Sequence, residues 1–194
     1  MATANTRRNK DADSSDLYTT SRDSLERFWY NAPRFLLKCK QITDNSFGLG
    51  DISKFMKEKG KIVVGYDLHN YGDEYAKHND ITEYGDFLEK DLNFAHDTDA
   101  VVMNPPFSYT AEFIDKSLEK WDNIFMFNRL TTLESIKRSK KFKSGEWPLR
   151  RVYIFGGRVT CPKGTDYEPT ANATVYAWFW LDKNYEGEPT LTWI

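Results

Sequence analysis

Apolar side chains recur along the chain with two alternating periods, those of a helix and of a strand. Helical spacing predicts helices over residues 24–30, 52–59 and 111–121. Short runs of β-branched and aromatic residues predict strands over residues 35–42, 61–67, 100–103, 124–127, 151–155, 174–180 and 190–194. Residues 87–92 show no clear period, and residues 131–148 combine a basic run with loop signals.

The alternation of strands and helices predicts an α/β fold with a mostly parallel sheet and helices on both of its faces. The closing strands have no helices between them, which favours an antiparallel C-terminal edge. The length of 194 residues is typical of one domain. Residues 1–16 are small, polar and charged, so we expect a flexible N-terminal tail in front of a folded unit over residues 17–194.

Composition removes several classes of protein. With 27 basic and 29 acidic residues the net charge is −2, which does not suit coating nucleic acid through bulk charge. No apolar run approaches the length of about 20 residues that crosses a membrane, and the N-terminus lacks the apolar core of a secretory signal. Cys39 and Cys161 have no paired spacing, and the three histidines are scattered, so we expect neither a disulfide nor a metal site. We expect a cytoplasmic location, or the host cytoplasm if the protein is phage-encoded.

A stiff turn follows the predicted strand 100–103 and consists of Asn104, Pro105, Pro106 and Phe107. Two consecutive prolines fix φ near −65° and lack N–H donors, so their carbonyl groups remain free to accept. At the carboxyl edge of a parallel sheet, the turn would present an amide and a carbonyl to a crevice. Those two acceptors would hold an amino group, and Phe107 would stack on a planar base. The alternative is an ordinary turn before a helix.

This tetrapeptide after a hydrophobic strand resembles the catalytic motif of class I S-adenosylmethionine-dependent adenine-N6 DNA methyltransferases, in particular small phage-type members. Other segments lie where that family has its cofactor motifs. The run 44–51 resembles an acid-Pro-x-x-Gly-x-Gly loop, with Asn45 in place of the usual proline. Asp67 ends the second strand seventeen residues after Gly50, and the turn 84–87 sets an acid beside an aromatic residue.

The resemblance implies a Rossmann-like methyltransferase fold, with residues 17–194 as one catalytic domain and no separate large target-recognition domain. It implies S-adenosyl-L-methionine as cofactor and direct methyl transfer to N6 of an adenine that is flipped out of DNA. It assigns catalysis to Asn104, Pro105, Pro106 and Phe107. It assigns cofactor binding to Tyr18, Thr19, Thr20, Asp44, Ser46, Gly48, Gly50, Asp67, Asp86, Phe87 and Asn104.

A dense basic cluster in residues 131–148 is the patch that we expect to contact a phosphate backbone. The expected DNA-binding residues are Phe107, Lys137, Arg138, Lys140 and Lys141. A solvated helix end or loop is the alternative for this cluster. Little chain remains beyond the catalytic sheet, so target recognition would depend on loops such as 131–150, on loose specificity, or on a partner subunit or homodimer.

Other functions remain open at this point. Asn-Pro-Pro motifs also occur in enzymes that methylate an RNA base or the side-chain amide of glutamine. A non-catalytic binding protein with the same fold is a further alternative, favoured by Asn45 and by the polar character of strand 35–42. A cofactor-degrading enzyme would use the same pocket and would turn over without any acceptor.

Overall fold

The computed structural model describes residues 16–162, 164 and 174–194, so the predicted tail lies outside the described residues except for Asp16. The helices are α1 (Arg22–Tyr30), α2 (Arg34–Lys38), α3 (Asp51–Glu58), α4 (Asp73–Ala76), α5 (Thr110–Lys120) and α6 (Ile136–Ser144). Short 3₁₀ helices cover Phe87–Glu89, Leu92–Phe94, Phe107–Tyr109 and Leu130–Leu133. Within this part of the chain no helix has the length and apolar character needed to cross a membrane.

Eight strands form one sheet in the order β3-β2-β1-β4-β5-β7-β6-β8. They are β1 (Gln41–Asp44), β2 (Ile62–Asp67), β3 (Ile81–Tyr84), β4 (Ala100–Met103), β5 (Asn123–Arg129), β6 (Leu149–Ile154), β7 (Tyr176–Asp182) and β8 (Thr190–Trp193). Strands β1 to β5 are parallel, β7 runs antiparallel to β5 and β6, and β8 is parallel to β6. The predicted α/β class with an antiparallel element towards the C-terminal edge is therefore confirmed.

The order of the strands determines where a crevice opens at the edge of the sheet. Strand β1 pairs with β2 on one side and with β4 on the other, so the connections leave β1 in opposite directions. At such a switch point the loops after the two central strands separate and leave an opening at their carboxyl ends. The segment after Asp44 and the turn beginning at Asn104 are thereby brought to the same edge of the sheet.

Two apolar clusters cover the two faces of the sheet, which confirms the prediction of helices on both sides. One cluster packs α1, α2 and α3 against the sheet, and the other packs α5. Phe28 of α1 stacks on Trp178 of β7 with ring centroids 4.3 Å apart. The same ring meets Tyr153 edge-on at 5.3 Å, so the N-terminal helix is fixed to the antiparallel part of the sheet.

Three local predictions differ from the structure. The strand predicted over 35–42 is wrong for its first half, because Pro33 precedes the short helix α2, in which only Leu36 is buried. The segment 131–148 contains helix α6, whose residues are all at least partly exposed and so lack an apolar stripe. Strand β3 lies at the edge of the sheet with no buried residue, which explains why its pattern carried no signal.

The packing of α1 gives a test of stability with a control on the same helix. Replacing Phe28 by alanine removes a fully buried ring and is expected to lower the free energy of unfolding by about 3–5 kcal/mol. Tyr30→Ala, at a position 82% exposed, is expected to change it by less than about 0.5 kcal/mol. Urea denaturation of both variants measures the difference; equal effects would mean that α1 does not anchor β7.

Candidate active site

A cavity opens at the carboxyl edge of the sheet, where β1, β2 and β4 end. Its walls come chiefly from four segments that are distant in sequence, namely the N-terminal residues, the loop after β1, residues 67–71 at the end of β2 and the turn after β4. The lining includes Asp16, Leu17, Tyr18, Thr19, Thr20, Asn45, Ser46, Phe47, Gly48, Leu49, Asp51, Ile52, Asp67, Leu68, His69, Tyr71, Phe87, Asn104, Pro106 and Phe113.

The glycine loop after β1 is tied to the end of β2 by one carboxylate. Asp67 accepts a hydrogen bond from the Gly48 N–H at 2.8 Å and another from the His69 N–H at 3.0 Å. Gly48 has φ +51°, and a Cβ atom there would lie 3.0 Å from Leu17 Cδ1. The left-handed backbone therefore favours glycine here, and a larger residue would also displace the Leu17 side chain. Burial raises the pKa of Asp67.

Asp44 lies behind the cavity wall and is fully buried. Its Oδ2 accepts a hydrogen bond from the hydroxyl of Ser53 on α3 at 2.8 Å, while Oδ1 is buried and has no partner among the described residues. Desolvation raises the pKa of Asp44 to about 7, although the bonds from Ser53 and the Ser46 backbone act in the opposite direction. Asp44 thus joins β1 to α3 and does not line the cavity.

Residues 16–20 form a strap across the mouth of the cavity. The Thr19 N–H donates to the carbonyl of Pro162 at 2.9 Å, and the Thr20 N–H donates to Asp51 Oδ2 at 3.0 Å. Asp16 accepts from the Ser108 N–H at 3.0 Å, which connects the strap to the turn after β4. Burial raises the pKa of Asp51, and the bond from Thr20 partly offsets this effect.

The side chain of Asn104 is oriented by the strap. Its Nδ2 donates to the Tyr18 carbonyl and to Thr20 Oγ1, both at 3.0 Å. Its Oδ1 is buried and accepts no hydrogen bond from any described residue. A buried acceptor without a donor is unfavourable, so this oxygen is prepared to receive an N–H or O–H group.

Phe107 belongs to an aromatic group on the other side of the Asn104 turn. Its ring centroid is 4.7 Å from that of Tyr18 and 5.9 Å from that of Tyr176. The guanidinium of Arg129 lies 4.5 Å from the Phe107 ring and 5.9 Å from the Tyr18 ring. Phe107 is not among the residues that line the cavity, whereas its neighbours Tyr18 and Asn104 are.

The structure brings most of the predicted cofactor residues together. The cavity lining contains Tyr18, Thr19, Thr20, Ser46, Gly48, Asp67, Phe87 and Asn104. Three predicted residues lie outside it. Asp44 bonds to Ser53 behind the cavity wall, Gly50 is the N-cap residue of α3 with φ +76°, and the Asp86 carboxylate caps the 3₁₀ helix at Leu88. Of the predicted catalytic turn, Asn104 and Pro106 line the cavity, whereas Pro105 and Phe107 do not.

The predicted basic patch coincides with helix α6, but two of its four cations are occupied within the protein. Arg138 donates to the carbonyls of Thr131, Thr132 and Glu134, which closes the preceding 3₁₀ helix. Lys141 pairs with carboxylates at Asp115 and Glu146. Lys137 and Lys140 are exposed, as is the further lysine at position 143. Fewer of the predicted cations are therefore available to bind a partner than the sequence indicates.

Neither thiol chemistry nor a metal centre is supported around the cavity. Burial raises the pKa of Cys161 to about 12 and that of Cys39 to about 11, so both thiols remain protonated at neutral pH. Over residues 16–162, 164 and 174–194, no group of three or more histidine, cysteine or acidic side chains is placed to hold a metal ion.

Sequence reasoning missed three residues that contribute to the site. Asp51, directly after Gly50, was not predicted as a site residue, although it lines the cavity and accepts a hydrogen bond from the Thr20 N–H. Asn128 and Arg129 end the apolar strand β5 with an amide and a cation. Polar residues at the carboxyl end of a buried parallel strand are the signal that could have identified both.

The buried carboxyl group of Asp44 predicts a specific pH dependence. Its pKa is raised from 3.8 to about 7, so the folded state retains a proton that the unfolded chain releases between these values. Wild-type stability should therefore fall relative to that of Asp44→Asn as the pH rises from 5 to 7, by up to about 1.4 kcal/mol per pH unit, and the difference should level off above pH 7. Urea unfolding at four pH values measures it; a difference independent of pH would contradict the raised pKa.

Comparisons with known proteins identify the fold. No protein-family model matches the chain, and a search of curated proteins by sequence returns no match. Among solved structures, a candidate RNA methyltransferase from Pyrococcus horikoshii aligns with TM-score 0.62 and 14% identity over 88% of each chain. A candidate class I S-adenosylmethionine-dependent methyltransferase from Listeria monocytogenes aligns with TM-score 0.65 and 12% identity, over 90% of this chain and 65% of that one.

A third structure was solved with the cofactor present. Magnesium protoporphyrin IX methyltransferase from Synechocystis PCC 6803, with bound S-adenosylmethionine, aligns with TM-score 0.54 and 12% identity, over 82% of this chain and 76% of that one. At such low identities the likeness concerns architecture alone. The chain has the Rossmann-like fold of the class I methyltransferases.

Proposed function

We propose that this protein is an S-adenosylmethionine-dependent methyltransferase that methylates the N6 amino group of adenine in DNA. The observation that carries the proposal is the Asn104 amide, whose nitrogen is held by two hydrogen bonds and whose buried oxygen has no donor. This oxygen lies at the carboxyl end of β4, beside a cavity bounded by a glycine loop and by the carboxylate that ends β2.

The cavity suits a cationic nucleoside cofactor. Asp51 and Asp67 line it, and each carboxylate has acceptor capacity beyond the backbone bonds that it already receives. Burial disfavours the ionised form of both acids, so a bound ammonium group or hydroxyl donors would stabilise that form. Phe87 contributes an apolar wall. When bound, S-adenosylmethionine supplies an electrophilic methyl group on its sulfonium centre.

The residues of the turn would act on the acceptor. Asn104 Oδ1 would accept one N–H of an exocyclic amine, and the carbonyl of Pro105 would accept the other, so that the nitrogen lone pair faces the cavity. Alignment of the nucleophile with the methyl group and electrostatic stabilisation would supply most of the rate enhancement in this arrangement. The amine becomes acidic once it is methylated and loses its proton to solvent, so the site needs no strong base.

Two other acceptors could present an amino group to the same turn. One of the solved structures that share the fold is a candidate RNA methyltransferase, which favours an RNA base as the second candidate. An amide of glutamine offers the same N–H donors to Asn104 and Pro105. The exposed Lys137, Lys140 and Lys143 on α6 favour a polyanionic acceptor over a protein side chain.

Transfer of a radiolabelled methyl group to separate DNA, RNA and protein acceptors tests the proposal. We expect label on DNA, and nucleoside analysis should identify it as N6-methyladenine. Label on an RNA base would replace DNA as the acceptor, and label on glutamine would overturn the assignment to nucleic acid. A protein that neither transfers the group nor gives binding heat with S-adenosylmethionine would be a non-catalytic member of the fold.

The role of Asn104 predicts a difference between two single variants. Asn104→Ala removes the free acceptor and is expected to lower kcat by at least about 100-fold. Thr20→Val removes one of the two bonds to Asn104 Nδ2 while leaving the acceptor oxygen in place, so a loss of about tenfold or less is expected. Steady-state methyl transfer measures both variants, with thermal unfolding as the check on folding. Near wild-type turnover in Asn104→Ala would refute the assigned role.

A further inference from the structure

Arg129 is the last residue of β5, at the same edge of the sheet as Asn104. Strand β5 is the parallel neighbour of β4, with Met103 opposite Met126, so both chains emerge on the same side of the crevice. The guanidinium carbon lies 4.5 Å from the centroid of the Phe107 ring and 5.9 Å from that of the Tyr18 ring. It therefore stands directly beside the turn that is proposed to hold the acceptor.

Among the described residues, no carboxylate pairs with the charge of Arg129. Its side chain is half-buried, its Nε is buried without a hydrogen-bond acceptor, and no ion pair to it exists among the described residues. The aromatic faces of Phe107 and Tyr18 compensate part of the lost hydration. A partly desolvated cation that lacks an anion is nevertheless unfavourable, and a bound anion would relieve it. Arg150 and Arg138 differ from Arg129 here, since Arg150 pairs with Asp182 and Arg138 binds three carbonyls.

A chain of hydrogen bonds fixes Arg129 relative to the turn. Asn128, which is 2% exposed, donates through Nδ2 to Thr110 Oγ1, and Thr110 in turn donates to the carbonyl of Phe107. The Oδ1 atom of Asn128 accepts from the Arg129 N–H at 2.8 Å and from Thr132 Oγ1 at 3.0 Å. The backbone of Arg129 is thus held in register with the turn by buried contacts.

The same chain of contacts continues to the basic helix. The Thr132 carbonyl accepts from Arg138 Nε at 2.9 Å, so the 3₁₀ helix after Arg129 leads directly into α6. Three lysines of α6, at positions 137, 140 and 143, are exposed and make no ion pair within the described part of the chain. Positive charge therefore extends from the outer surface at α6 to Arg129 beside the turn.

We infer that Arg129 binds a phosphate group of the acceptor strand next to the target nucleotide, and that it positions this nucleotide against the Asn104 turn. The inference rests on the proposed function, because it requires a polynucleotide acceptor. The planar guanidinium suits a phosphate, since two parallel N–H groups can bond two oxygens at once. The phosphate is common to DNA and RNA, so Arg129 sets the register of the strand and leaves the sugar to other contacts.

The test compares the salt dependence of binding and the kinetic constants of three variants. Fluorescence anisotropy with labelled DNA and RNA oligonucleotides at several salt concentrations gives the slope of log K against log salt, to which each phosphate contributes about −0.9 in duplex DNA and about −0.7 in single strands. We expect Arg129→Gln to lose one such contribution and to raise KM for the oligonucleotide about tenfold, with kcat changed less than threefold. Arg129→Lys should retain the slope, because its charge still meets the phosphate.

Arg34→Gln is the matched control. Arg34 begins α2, ahead of β1, and is exposed near the amino-terminal edge of the parallel strands, so its loss should leave slope and KM unchanged. If the wild type binds and methylates an oligonucleotide while Arg129→Gln keeps the wild-type slope, the role of Arg129 is overturned and the proposed function stands. A fall in kcat alone would mean that Arg129 only packs against the rings, and would also overturn it. A wild type that neither binds nor methylates DNA or RNA overturns the proposed function itself.

Discussion

The candidate site depends on the hydrogen bond that Asn104 donates to the carbonyl of Tyr18. A carbonyl oxygen can only accept, so the amide nitrogen has to face the strap and the amide oxygen has to face away from it. The second bond, to the Thr20 hydroxyl, adds to this orientation but could exist in either direction. Without the strap the amide would be free to rotate, and a donor could occupy the place where the chemistry requires an acceptor.

The same strap links the oriented amide to the acidic part of the cavity. Asp51 receives the Thr20 N–H, and Asp67 receives the N–H of Gly48, against which the strap packs at Leu17. Burial disfavours the ionised form of both acids and raises the pKa of each. Hydrogen bonds from backbone N–H groups partly offset this effect. A cationic ligand would strengthen the contacts of both acids together.

Patterns within about ten residues of each other were predictable from the sequence, and contacts between distant segments were not. The turn at Asn104 and the loop around Gly48 were found because strand, turn residues and helix follow one another locally. The bond from Asn104 to Tyr18 spans 86 positions, and no local pattern encodes it. For Asp44 the sequence indicated an acid in the loop, but the hydroxyl of Ser53 on the next helix turns it away from the cavity.

Although the net charge is only −2, charges of opposite sign are concentrated in two different regions. Acids collect around the cavity, at Asp16, Asp51 and Asp67, where they suit a cationic ligand. Unpaired cations collect on α6 and at Arg129, on the other side of the Asn104 turn, where they suit an anionic acceptor. The net charge therefore excluded a protein that coats nucleic acid, but it did not exclude one that binds a single strand through a few local cations. This separation suits a methyltransferase that joins a sulfonium donor to a phosphate-bearing acceptor. The acids of the cavity would repel the phosphate, and the cations beside the turn would repel the sulfonium.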